Sequence, residues 1–475
     1  MSAEALLWHT LVMLVVVGLP ACSVLACTAV VVGRRASADG SVLLGHNEQN
    51  GGRGRFLNFR KVPRITHKPG RKVTLRGGAR VPQVRQTAAL LWSENPGLVS
   101  SDGYLNEWGV AVVSNRCWGR ENTRSLEAAG QIVKGGISYM LRRLIAERAR
   151  TARAGVQLAG ELVARVGYAA SQTLIIADPA EAWVLAMVPG RHWVAQRVPD
   201  DRVVILPNVH IIAEVDLTDE SSFLGSPGLV DCAIRRGWYD PAGGTRFRFC
   251  DAYARPRDRR MDPRQRRGQS LVTGKRIRPT PDRQLPFSVA PARKLSVADV
   301  IAILRNQGRE TICAPDVEEG AVFQLRGDLP PGIGALYWRT SAEPCTSVLT
   351  PWYVGVMETP RQYHEPVPLR RALTLKHHFD ASPGRYAPDE GRAWWVFRKL
   401  QDKVRADYEK RVKLVRAVWD EFEAGLFAAQ PAVEAEALKL YRRGKSAARD
   451  YLTAYCGRAA LRAVAKAREL IELDG

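Results

Sequence analysis

The chain has 475 residues, 46% of them hydrophobic and 25% charged. That balance excludes a disordered polymer and allows one large domain or two to three ordinary ones. Lys and Arg number 70 against 48 Asp and Glu, a formal charge of +22. No run beyond the N-terminus approaches the roughly 20 apolar residues of a membrane span. No CxxC or HExxH spacing marks a zinc site.

Residues 1–26 read as a secretion signal. Leu11 to Pro20 (LVMLVVVGLP) is an apolar stretch of signal length, with Val24 and Ala26 at the −3 and −1 positions of a cleavage site. The charged region before it is atypical, with Glu4 and no Lys or Arg. Cleavage after Ala26 makes Cys27 the first residue, carrying a thiol and a free α-amine on one carbon. The expected location is therefore outside the cytoplasm: periplasm, cell surface or extracellular space. Leu19-Pro20-Ala21-Cys22 and Val24-Leu25-Ala26-Cys27 also resemble lipoprotein cleavage boxes, so a lipid anchor is the alternative fate of this segment.

Thr28 to Gly33 is an apolar β-branched run, Ala36 to Gly40 a turn, and Ser41 to Gly45 a second strand, together a hairpin. Ala88–Trp92 and Gly109–Val113 read as short strands. Ile137, Met140, Leu141, Leu144 and Ile145 recur at helical spacing, and a second helix covers about Gly155 to Val166. Thr173–Ala177, Ala182–Met187, His192–Arg197 and Arg202–Leu206 form an antiparallel meander, because their links are too short for crossovers. Residues 218–290 are irregular. Within them the basic run Arg246–Arg283 lacks interleaved aromatics and reads as a solvated surface loop rather than a nucleic-acid site.

Ser296, with Asp299 three residues on, opens a capped helix to about Asn306. Strands return at Ala321–Leu325, Gly334–Arg339 and Ser347–Val354, and 360–368 is a Pro-rich linker. Helices follow at Ala393–Phe427, Val433–Tyr441 and Ser446–Leu473. Trp394-Trp395 reads as helix packing, and His377-His378 as a surface or packing feature. Arg443-Gly444-Lys445-Ser446 lacks the first glycine of a phosphate loop. The domain division is then a signal over 1–26, a main domain over 27–375 and a helical region over 376–475 packed on it. Once Cys22 leaves and Cys27 becomes terminal, six cysteines remain, and disulfides are allowed with their pairing open.

A thiol near its reference pKa needs a base, and an α-amine titrating near ~7.7–8.0 is well matched to that task at neutral pH. A terminal Cys27 would carry both, which points to acyl transfer through a thioester.

The order Cys27-Thr28-Ala29-Val30-Val31-Val32-Gly33, Ala36-Ser37-Ala38-Asp39-Gly40-Ser41 and Gly45-His46-Asn47-Glu48 resembles the start of the dipeptidase A and secernin-like cysteine peptidases of the N-terminal-nucleophile hydrolase superfamily. Asn106-Glu107-Trp108-Gly109-Val110-Ala111, Ile176-Ala177-Asp178-Pro179, Pro207-Asn208, Gly237-Trp238-Tyr239-Asp240, Leu285-Pro286-Phe287-Ser288 and Ala393-Trp394-Trp395 continue the similarity in order. The resemblance implies an α+β fold, a four-layer αββα sandwich of two antiparallel sheets, with a helical C-terminal extension. It implies hydrolysis of dipeptides or other small amides without metal, and with the signal segment the expectation is an exported hydrolase of dipeptides or small peptides that needs no cofactor. The alternatives are an amidase or acyltransferase on non-peptide amides, or an inactive envelope protein of the same fold. The expected partner is a small peptide or amide, with no nucleic acid.

Under that resemblance Cys27 is the nucleophile, Asn208 an oxyanion donor, and Asn115 lies near a second oxyanion position. The family favours Arg-Asn-x-Asp after the second strand, where the Arg lies near the thiolate and the Asp holds the amine. This chain has His46-Asn47-Glu48-Gln49. His46 is expected to take part of the positive or donor role. Asn47 and Gln49 are candidate substrate-side residues, Asn47 being also suited to hold the turn. Glu48 would compensate for Gln49 only by facing the site, and strand alternation sends the two to opposite sides.

Overall fold

The computed structural model describes residues 27–50, 56–99, 101–256, 262–278, 284–308 and 310–473; the expected signal segment lies outside them, as do parts of the basic run. Two antiparallel sheets carry the molecule. The first is built from β1 (Thr28–Val32) and β2 (Val42–Gln49), and the second begins with β3 (Asn58–Val62), β4 (Leu90–Glu94), β5 (Gly103–Asn106) and β6 (Ala111–Arg116). The expected meander follows as β7 (Gln172–Ala177), β8 (Ala182–Met187), β9 (Trp193–Arg197) and β10 (Val203–Leu206). Then come β11 (Phe223–Gly225), β12 (Val317–Leu325), β13 (Ala335–Arg339) and β14 (Thr350–Tyr353). The strand orders are β10-β1-β2-β12-β13-β14 and β11-β9-β8-β7-β6-β5-β4-β3. The meander is thus split: β10 leaves its neighbours and pairs with β1, Ala29 opposite Leu206.

Period-2 alternation separates the layers. Leu91, Val113, Ile175, Val184 and Val194 of the second sheet join the core shared with the first sheet, while Trp92, Val112, Leu174, Ile176 and Leu185 turn to the opposite face. That face is covered by α1 (Met140–Arg148) and α2 (Ala152–Val166). Gly155 and Gly160 let α2 approach; a Cβ at Gly160 would lie 2.3 Å from the Trp193 ring. The outer face of the first sheet is covered by α3 (Pro263–Thr273) and α4 (Val297–Leu304). The helices α5 (Ala393–Ala406), α6 (Tyr408–Arg443) and α7 (Lys445–Glu472) pack on one another, and α7 also packs on β14. The layering is αββα with a helical C-terminal region, as the resemblance implies. The α4 capping box forms, Ser296 and Asp299 exchanging side-chain and backbone hydrogen bonds.

Several expectations are corrected. The second strand of the hairpin runs on to Gln49, because β12 pairs with β2 along its length. β3 and β5 escaped the sequence reading. The break among the C-terminal helices falls at Asp407, and α6 passes through Pro431. His377 and His378 are packing residues: His377 Nε2 lies 3.2 Å from Glu365 Oε2, and His378 Nδ1 lies 3.0 Å from Glu94 Oε1. The basic run is not all loop. Asp262 caps α3, whose Gly268 sits against Ile205 of β10.

Candidate active site

Hairpin register builds the site. Thr28 pairs with Asn47 and Ala29 with His46, which sets Cys27, one residue before β1, opposite Glu48. Alternation along β2 then turns His46 and Glu48 to one face and Asn47 and Gln49 to the other. The two pairs behave accordingly. Cys27 Sγ donates to Glu48 Oε1 at 3.3 Å, and Glu48 Oε2 lies 4.0 Å from His46 Nδ1. His46 Nε2 is 3.0 Å from Asn115 Oδ1 on the facing sheet. An amide oxygen only accepts, so Nε2 carries the hydrogen and Nδ1 faces the carboxyl.

Asn47 instead donates through Nδ2 to the carbonyls of Leu304 and Ile312, at 2.8 and 3.1 Å. Gln49 Nε2 donates to Asp316 Oδ1 at 2.5 Å. Both side chains therefore fasten β2 to the loop between α4 and β12, correcting their expected substrate-side placement. Gln49 serves the site through its backbone, with its N–H 3.5 Å from Cys27 Sγ and its carbonyl 3.6 Å away.

Asn115 is likewise reassigned. Its Nδ2 donates to the carbonyls of Leu206 and Pro207, at 2.7 and 3.2 Å. Both amide hydrogens are thus engaged, leaving none for an oxyanion. Asn115 holds His46 on one side and the turn leading to Asn208 on the other. Asn208 sits beyond β10; its Nδ2 donates to Arg116 O at 2.9 Å, which leaves that amide a second hydrogen.

Sequence reasoning missed Arg264. Its Nη1 donates to the carbonyl of Cys27 at 2.9 Å and to Asn208 Oδ1 at 3.0 Å, while Nη2 pairs with Asp262 Oδ2 at 3.0 Å. One guanidinium thus ties the Cys27 backbone to Asn208. The capping Asp262 and the Pro at the start of α3 were the local signal that this part of the basic run folds. Glu48, weighed from the sequence only as a substitute for Gln49, does face Cys27, and alternation from His46 was its signal.

Electrostatics keeps the thiol protonated at rest. Burial pushes the Cys27 pKa well up, the Glu48 charge adds to that, and the Gln49 backbone and Arg264 oppose it. Burial also raises the Glu48 carboxyl well above the usual range, opposed by the Cys27 hydrogen bond, with the nearby Glu318 adding to the rise. Burial lowers His46 to about 4, against the hydrogen bond to Asn115. His46 is therefore neutral near pH 7 and acts as a hydrogen-bonding group, not a cation. The positive charge facing Cys27 comes from Arg264. Cys27, His46 and Glu48 also present ligand atoms within 4.8 Å of one another. Such a buried S, N, O set suits a borderline cation such as zinc, which would occupy the sulfur.

The model of peptidase family C69 matches residues 26–321. The chain belongs to peptidase family C69. A probable dipeptidase from Salmonella dublin is 27% identical to this C69 chain over 385 residues, 74% of the chain and 86% of the relative. A probable dipeptidase from Latilactobacillus sakei is 25% identical over 378 residues, covering 74% and 79%. Among solved structures, penicillin V acylase from Agrobacterium tumefaciens aligns at a TM-score of 0.33 and 13% identity, over 69% of this chain and 86% of that one. As a C69 member the chain is a peptide or amide hydrolase.

Proposed function

We propose that this C69 chain is an exported cysteine dipeptidase whose nucleophile is Cys27, freed as the N-terminal residue by cleavage after Ala26. The observation that carries the reading is the position of Cys27 at the start of β1, its Sγ hydrogen-bonded to Glu48 of β2 and its carbonyl on Arg264. In the proposed reaction the α-amine takes the thiol proton as Sγ attacks the scissile carbonyl. The tetrahedral oxyanion accepts the spare N–H of Asn208, which Arg264 orients and polarises. Collapse breaks the C–N bond, the departing amine takes the proton, and the acyl group remains on sulfur. Water, deprotonated by the same α-amine, then hydrolyses the thioester and restores the thiol.

The chain-length preference rests on the relatives named as probable dipeptidases. The test is intact mass and N-terminal sequencing of the exported protein, followed by turnover on a panel of dipeptides, longer peptides and N-acyl amides. The expected results are a chain starting at unmodified Cys27, preference for dipeptides, and a loss of at least about 10³-fold in Cys27→Ala. A lipid adduct on Cys27, or turnover that survives Cys27→Ala, sinks the proposal.

A further inference from the structure

Cys313 and Cys345 meet away from the site, on the loop after α4 and the loop after β13. Both are buried, their sulfurs lie 2.6 Å apart, and both are free thiols. Their surroundings are ordered on each side. Gln307 Nε2 donates to Cys345 Sγ at 3.0 Å and to the Cys313 carbonyl. Thr311 Oγ1 donates to that same carbonyl at 2.9 Å, and the N–H groups of Ile312 and Cys313 both donate to Asn306 O at 3.0 Å.

The loop these contacts hold is the one β2 hangs from. Ile312 O accepts from Asn47 and Asp316 accepts from Gln49. Arg267 of α3, the helix that carries Arg264, donates to Asn306 Oδ1 at 3.1 Å. One short segment therefore anchors both the strand opposite Cys27 and the helix that binds its carbonyl.

We infer that Cys313 and Cys345 are a disulfide site, and that the bridge fastens the loop from Arg305 to Asp316 beneath the catalytic hairpin. The oxidant is a low-molecular-weight disulfide or the disulfide of a thiol oxidoreductase, acting while the chain folds and before the pair is buried. One cysteine thiolate attacks it, forms a mixed disulfide and releases one thiolate. The second cysteine thiolate then attacks the protein sulfur of that mixed disulfide and releases the other. Two protein thiols become one disulfide, and the oxidant is reduced to two thiols. The pairing closes a segment of intermediate length, so its loss loosens the unfolded chain as well as the loop.

The test uses the full-length protein folded in a glutathione buffer poised like an oxidising compartment, then quenched in acid, denatured, alkylated and mapped by mass spectrometry. A peptide pair linked through Cys313 and Cys345, with Cys117, Cys232, Cys250 and Cys456 alkylated, is the expected result. Reductant should then lower the melting temperature of the wild type by about 5 °C. It should also raise amide exchange at residues 305–316 and 46–49, and leave Cys313→Ser/Cys345→Ser unmoved in both readouts. Recovery of both cysteines alkylated, pairing of either with another cysteine, or an equal response of wild type and double variant to reductant overturns the assignment. The peptide map is made on the wild type, so it decides even where the double variant does not fold.

Discussion

The Cys27 thiol and the Glu48 carboxyl face each other across the first hairpin, Sγ 3.3 Å from Oε1, with both groups buried. A carboxyl beside a thiol stabilises its protonated form. On the proposed reading, the Cys27 thiol is held in reserve until the α-amine and the substrate change its surroundings.

Glu48→Gln keeps an acceptor for the thiol and removes the charge. The alkylation rate of Cys27 by iodoacetamide at neutral pH is expected to rise, with its pH profile displaced to lower pH, because the Glu48 charge is one of the causes raising the thiol. An unchanged alkylation profile in Glu48→Gln would show that the carboxyl is uncharged across the range.

Arg264→Met should lower kcat/KM about 10- to 100-fold, mostly in kcat, since it frees Asn208 and removes the cation facing Cys27. Arg264→Lys offers a point charge in place of a planar fork that serves Cys27, Asn208 and Asp262 together, so it should recover only part of the loss. Steady-state kinetics on one dipeptide separates the two outcomes. A full rescue by lysine would mean that charge alone matters.

Gly268→Ala tests whether the seat of α3 controls the site. A Cβ there meets Ile205 Cγ2 at 2.7 Å and Cγ1 at 3.0 Å. Overpacking of this kind costs about 1–3 kcal/mol, and α3 must lift, carrying Arg264 away from Cys27. Activity should fall along with the melting temperature. Adding Ile205→Ala, which opens the space, should give a double variant less impaired than the sum of the two singles. Strict additivity would place the cause elsewhere.

His210 packs beside β7, 3.1 Å from Ser171 Oγ and 3.4 Å from Thr173 Oγ1, and burial lowers its pKa to about 4. The unfolded chain, with histidine near 6.5, binds a proton first as the pH falls, so stability is lost between about 6.5 and 4 and regained above. The loss is about 2 kcal/mol from pH 7 to pH 5 for His210, and His46, also lowered to about 4, adds in the same direction. Urea unfolding at the two pH values measures it. His210→Gln should show a smaller difference than the wild type, and an equal difference would remove His210 as a cause.

What the sequence made legible follows the range over which each signal acts. The hairpin and the α4 cap rest on neighbours a few residues apart, and both stand; of the expected four-strand meander three strands stay together, while β10 crosses to the other sheet. Glu48 followed from the same alternation, once His46 was placed on the inner face. Asn47 and Gln49 were read toward the substrate because their partners, Leu304, Ile312 and Asp316, lie more than 250 positions away. Arg264 reaches Cys27 across 237 positions. Its segment has the composition of a solvated loop, and long-range packing, Gly268 on Ile205 and Arg267 on Asn306 among it, makes it part of the site. The sequence reading broke the C-terminal helices between Phe427 and Val433, where α6 instead runs on through Pro431.

The division of labour along β2 has a consequence for how this protein can be broken. His46 and Glu48 face the Cys27 side, Asn47 and Gln49 the α4–β12 segment, and one residue separates the two sets. A slip of one position in the hairpin would exchange them, aiming amides at the thiol and burying a carboxylate and an imidazole among the carbonyls of the α4–β12 loop. The turn at Ala38-Asp39-Gly40, which touches no reacting atom, therefore sets the phase of the whole site. A single residue inserted there is expected to take the Cys27 site apart without changing any of its side chains.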